Sequence, residues 1–91
     1  MTTGSPDYFL QMRSDLFEEL EEAELALSRE RLRVERMESD LRLGLSEPPG
    51  YQEAKGHALP RAEARVMDLF EQLLKLEDRI RVRRQSAAAG T

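Results

Sequence analysis

Apolar residues return every third or fourth position from Asp7 to Leu43, a stretch that holds no Gly and no Pro. Phe9, Leu16, Leu20, Ala23, Leu27, Val34, Met37 and Leu41 form a ladder interrupted only by Arg13 and Glu30. Such a period belongs to an amphipathic helix with a coiled-coil-like seam. The spacing predicts one helix over residues 7–43, about 55 Å long. A rod of that length cannot bury its own seam, so something must pack along it.

Gly44 suits the residue that ends the helix, and Pro48-Pro49-Gly50 prevents its immediate continuation. These residues predict a connection over 44–59, within which Tyr51 to Lys55 can form one helical turn. Pro60 fits the first turn of a second helix over about 60–84. Its ladder is Ala62, Val66, Leu69, Leu73, Leu76 and Ile80. Ser5-Pro6-Asp7 reads as a helix start, with residues 1–6 a flexible leader and 86–91 a flexible tail. The predicted fold class is all-α: a single domain over 7–85 forming an antiparallel two-helix hairpin.

Charge supports that arrangement. With Leu43 opposite about Ala62, the acidic block 15–24 falls near Arg79, Arg81, Arg83 and Arg84. Arg29, Arg31, Arg33 and Arg36 fall near Asp68 and Glu71, and Glu38 and Asp40 near Arg65 and Arg61. Exposed pairs contribute about 1 kcal/mol or less, so they select orientation more than they stabilise.

In this alignment helix 1 outlasts helix 2 and leaves an apolar overhang of Tyr8, Phe9, Leu10, Met12, Leu16 and Phe17. Leu25 and Leu32 lie nearly opposite the helix 1 seam, and Met67, Phe70 and Leu74 form a second row on helix 2. Apolar surface of this extent predicts burial, most simply by homodimerisation into a four-helix bundle, or against a protein partner.

Composition narrows the classes. Ninety-one residues, 35% of them charged and none Trp, suit one small long-helix domain. The absence of Cys excludes disulfides, thiol chemistry and Cys-based zinc sites, and accords with a cytoplasmic setting. No apolar run is long enough for a bilayer helix, and the first residues lack a signal-peptide pattern. A net charge of −4 disfavours general nucleic-acid binding.

Enzymatic motifs are missing. His57, the one histidine, has no nearby ligand-like or catalytic spacing around it, and no phosphate loop or nucleophile elbow occurs. No metal and no obligatory cofactor is expected. The arginine blocks 29–36 and 79–84 leave nucleic-acid contact as an alternative, but no aromatic residues interleave with them.

One stripe stands out. Glu24, Ser28, Arg31, Glu35 and Ser39 follow spacings of four, three, four and four, so they share one helix face. Arg31 offers a fork for guanine or phosphate, Ser28 a phosphate contact, and Glu24 an acceptor for guanine amino hydrogens. The segment Glu24-Leu-Ala-Leu-Ser28-Arg-Glu-Arg31 resembles the cyclic di-GMP-binding stripe of actinobacterial anti-sigma factors that hold the sporulation-type sigma factor WhiG. That family displays Glu, Ser, Arg, Gln and Asp at these spacings on an antiparallel helical hairpin. Glu24, Ser28 and Arg31 match; Glu35 stands for the Gln and Ser39 for the Asp.

The resemblance covers about sixteen residues of helix 1. It implies a non-enzymatic regulator of the anti-sigma kind, with cyclic di-GMP as its ligand and a sigma factor as its protein partner. The alternative is a ligand-free structural or adaptor coiled coil, or a small phage-type inhibitor covering a partner's surface.

Overall fold

A computed structural model of the chain describes the backbone of residues 6–89 and the side chains of residues 8–86. It is an all-α hairpin, a rod with extents of 70 × 23 × 15 Å. Helix α1 spans Pro6–Arg42. The returning arm begins with α2 (Tyr51–Glu53), passes through a π-helical turn (Ala54–Ala58) and continues as α3 (Leu59–Ala89). Pro6 opens α1, where its missing N–H costs nothing. The remainder of the leader, residues 1–5, lies outside the described residues.

Both ladders are seams. Leu20, Leu27 and Val34 of α1 are buried, as are Leu69, Leu73 and Leu76 of α3. The other ladder residues are all half-buried. Leu20, Leu69 and Leu73 make one core cluster, with Leu16, Ala23 and Val66 packed against it. Val34, Tyr51 and Ala54 make a second near the turn, flanked by Met37, Leu41 and Leu59. The two polar interruptions, Arg13 and Glu30, are half-buried. Glu30 Oε2 is buried without a hydrogen-bond partner, a destabilising feature within an otherwise apolar seam.

The turn is tighter than the sequence suggests. Gly44 adopts φ +81°. Its N–H donates to the Leu41 carbonyl (3.0 Å), and Leu45 N–H donates to the Asp40 carbonyl (3.1 Å). This is the Schellman closure of a helix C-terminus. A Cβ at Gly44 would meet nothing within 4 Å, so its cost is conformational alone. Gly44→Ala is therefore expected to lower stability by about 1 kcal/mol. Urea unfolding of the two forms measures it.

The connection predicted over 44–59 is shorter, because the returning arm is already helical at Tyr51. Along that arm Ala54, Ala58, Ala62 and Val66 are buried or half-buried at successive intervals of four, one residue too many for a 3-4 ladder. The π turn absorbs the extra residue. Leu59 N–H bonds the Ala54 carbonyl five residues back, and the widened turn makes room for the Pro60 ring. Pro60 thus sits inside a helix rather than at its start. At the other end, α3 continues through residues 86–89, which were expected in the tail.

An earlier start shifts the register. Leu41 packs against the Val34–Tyr51–Ala54 cluster, so Leu43 does not face Ala62. The expected charge pairs change accordingly: Glu19 meets Arg65 (3.6 Å), Arg31 meets Glu63 (4.0 Å) and Glu38 meets Lys55 (2.7 Å). The apolar overhang also disappears. Leu16 belongs to the first core cluster, and the Arg83 guanidinium lies 5.0 Å from the Phe9 ring centre. Phe9 and Leu16 are seam residues of the hairpin, not a free interface.

Candidate functional site

Two of the three ion pairs that cross the seam among the described residues, Arg31–Glu63 and Glu19–Arg65, define the faces of the rod. Phe17, Glu24, Arg31 and Glu38 recur every seven residues along one flank of α1. Glu63, Phe70, Glu77 and Arg84 do the same along α3. Because Arg31 reaches Glu63, these flanks lie on the same side of the hairpin, here the first face. The next rows outward add Ser28 and Glu35 from α1, and Met67, Leu74 and Arg81 from α3. Glu19–Arg65 crosses on the opposite side, the second face, which carries Arg33, Asp68, Gln72, Lys75 and Arg79.

The exposed large apolar residues divide unequally between these faces. Phe17 (43% exposed), Met67 (72%), Phe70 (51%) and Leu74 (52%) all fall on the first face. Half-buried Leu10 extends this row toward the start of α1. The second face holds exposed Tyr8 and Val82 amid charge. Leu25 and Leu32 are exposed on the outer edge of α1, on neither face.

Glu24, Ser28, Arg31 and Glu35 are exposed and share the first face with the apolar patch. The structure therefore joins the stripe and the Met67–Phe70–Leu74 row, which the sequence left on separate helices. Among the described residues Arg31 is held only by the 4.0 Å contact to Glu63, with both side chains about half exposed. Glu24, Glu35 and Glu63 share this face with Arg31, so its formal charge here is negative.

Two further features went unrecognised in the sequence. Near the free ends, Arg13, Glu77, Arg81 and Arg84 line a shallow depression. The Arg13 guanidinium lies 5.8 Å from the Phe17 ring centre, which makes this depression the basic border of the patch. At the turn, Tyr51 donates its hydroxyl to Glu38 Oε2 (2.9 Å). Lys55 Nζ donates to the same Oε2 (2.7 Å) and to Tyr51 Oη (3.1 Å).

The Lys55 ammonium and then the Tyr51 hydroxyl hold the Glu38 carboxyl below its ordinary value of 4.5. The Lys55 ammonium is raised above its ordinary 10.5 by the Glu38 carboxylate and then Tyr51. The Glu38 contribution to folding is complete above about pH 4.5 and is lost as pH falls through its lowered folded value. The Lys55 contribution is complete below about pH 10.5 and is lost as pH rises through its raised folded value. The difference in melting temperature between the native chain and Glu38→Gln is therefore expected to be constant from pH 5 to 10. It shrinks below pH 4.5.

The arginine blocks divide between the faces: Arg29, Arg33 and Arg36 line one depression on α1 together with Asp40. Arg31, Arg81 and Arg84 lie on the first face, Arg33 and Arg79 on the second, and Arg83 over Phe9. Among the described residues no group of three His, Cys, Asp or Glu is placed to hold a metal ion. His57 is exposed on the π turn. No described helix is long and apolar enough to cross a membrane. No protein-family model, no curated protein and no solved structure matches the chain.

Proposed function

We propose that this helical hairpin is a non-enzymatic regulatory protein that acts by protein–protein binding through its first face. The observation that carries this reading is the segregation of Phe17, Met67, Phe70 and Leu74 to one side of a rod whose other side is charged. Scattered exposed apolar residues need no partner, whereas a contiguous aromatic and aliphatic patch rimmed by charge has the composition of an interface. The carboxylates beside the arginines, Asp40 in the Arg29–Arg33–Arg36 depression and Glu19 on Arg65, weigh against the nucleic-acid alternative.

A photoreactive amino acid placed at Phe70 tests this in the source cell. Crosslinking to protein from position 70, with none from Lys75 on the second face, is the expected result. Crosslinking from Lys75 alone, or from neither, would contradict it.

Gating by cyclic di-GMP is a second reading, favoured by the exposure and alignment of Glu24, Ser28 and Arg31 beside the patch. Together with the resemblance this supports an anti-sigma-like regulator with a sigma factor as partner. The Glu35 and Glu63 carboxylates oppose a phosphate at Arg31. Calorimetry decides it: binding of cyclic di-GMP that Arg31→Ala removes supports gating, and no heat at high micromolar ligand ends it.

A further inference from the structure

We infer that the occupant of the first face is an amphipathic helix of a partner protein, with its apolar row against α3 and a basic flank against α1. This rests on the reading of the first face as the binding surface. It adds the shape and charge of what covers that face.

The two walls of the face differ in kind. Along α3, Met67, Phe70 and Leu74 follow helical spacings of three and four, and each is at least half exposed. Along α1, Glu21 extends the Ser28–Glu35 row by a further seven residues, and Glu24 lies one row further in. Leu20 shares a core cluster with Leu69 and Leu73, so Glu21 and Glu24 stand level with Phe70 and Met67 across the seam. Phe17 adds to the apolar wall at the level of Leu74. One side of the channel is therefore apolar and the other rich in carboxylates.

Those carboxylates are not neutralised within the chain. Arg31 is committed to Glu63, and Lys55 to Glu38. Toward the free ends Arg81 pairs with Asp78, while Arg13 and Arg84 share their depression with Glu77. Among the described residues no ion pair joins Glu21, Glu24 or Glu35 to a cation. Three unpaired carboxylates thus run beside one apolar row.

Shape and charge together select the occupant. Two helices side by side leave a groove along their junction, and a third helix packs there at about 8–10 Å from each. The exposed row from Met67 to Leu74 is about 10 Å long, so two to three turns of a partner helix cover it. Such helices dock through anchors at i, i+3 or i+4 and i+7. A Lys or Arg on the flank above α1 meets an unpaired carboxylate, whereas an acidic flank sets like charges together. A second copy of this chain supplies the wrong charge. Its two-fold axis would lie in the plane of the face and stack α1 on α1, carboxylates against carboxylates.

Two labelled synthetic peptides test the inference. Both are helical with leucines at i, i+3 and i+7; one is flanked by lysines and the other by glutamates. Fluorescence anisotropy with the full chain is expected to show at least tenfold tighter binding of the lysine peptide. Glu21→Gln with Glu24→Gln and Glu35→Gln is expected to abolish that preference. Removing three carboxylates elsewhere, by Asp15→Asn, Glu22→Gln and Asp68→Asn, is expected to keep it. Phe70→Ala is expected to weaken binding of the lysine peptide at least tenfold, with circular dichroism confirming that each variant stays helical.

Equal affinity for the two peptides, or no binding of either at hundreds of micromolar, would overturn the inference. So would equal losses from the two triple variants, or binding indifferent to Phe70→Ala. Mass spectrometry of the crosslink at position 70 separates this failure from that of the binding-face reading. A crosslinked segment rich in Asp and Glu, or one from a second copy of this chain, removes the basic helix alone. No crosslink at position 70 removes both.

Discussion

Leu69→Ala is expected to destabilise the hairpin by about 3–5 kcal/mol, the cost of emptying a well-packed leucine site. Leu69 is 1% exposed and is the largest fully buried side chain among the described residues. It packs with Leu20 and Leu73, and the shortened side chain leaves a gap between two helices that meet along a single seam. A two-layer structure has few other atoms to collapse into such a gap. Domains of this size are stable by about 5–10 kcal/mol. The substitution therefore removes a large fraction of the total and lowers the melting temperature by about 15–30 °C. Leu25→Ala, at a position 52% exposed, is the control and should change stability by less than about 0.5 kcal/mol. Thermal unfolding of all three forms at one protein concentration checks both figures.

The second large effect is at the turn. Tyr51 is buried, and Ala54 beside it has no exposed surface. Its ring closes the cluster around Val34, while its hydroxyl bridges Glu38 and Lys55. Tyr51→Ala removes both roles and is expected to cost about 3–5 kcal/mol, as for other buried aromatic residues. Tyr51→Phe keeps the ring and loses only the hydrogen bonds, for about 1 kcal/mol. The gap between these values separates packing from polar bridging. Equal losses for the two substitutions would show that the bridge, not the ring, anchors the turn.

Much of this architecture is legible in the sequence because one physical rule governs it. Residues such as Leu20, Leu27, Leu69 and Leu76 announce the seam by their spacing, and all are buried. What the spacing does not reveal is how the helices slide past each other. Pro60 reads as a helix start because proline rarely survives inside one. The π turn at Ala54–Ala58 accommodates it, so the returning arm starts at Tyr51 and the register moves.

The faces depend on that register. Phe17 and Phe70 can be assigned to one surface only when Arg31 is seen to meet Glu63 rather than Asp68 or Glu71. The bridge among Glu38, Tyr51 and Lys55 was hidden for the same reason. Its members lie on separate arms and come together only when the turn is short. Ser28 and Arg31, by contrast, share one helix, so their common face was readable directly.

The central claim is that the first face is covered in the cell and the second is not. A chain without native cysteines allows this to be measured with single thiols. Ser28→Cys and Leu74→Cys report the first face, and Asp68→Cys and Lys75→Cys the second. Alkylation rates are compared between the dilute purified chain and the chain in its source cells. The account predicts that positions 28 and 74 slow at least tenfold in the cell while 68 and 75 keep their rates. Protection at 68 and 75, or equal rates at all four positions, would contradict it.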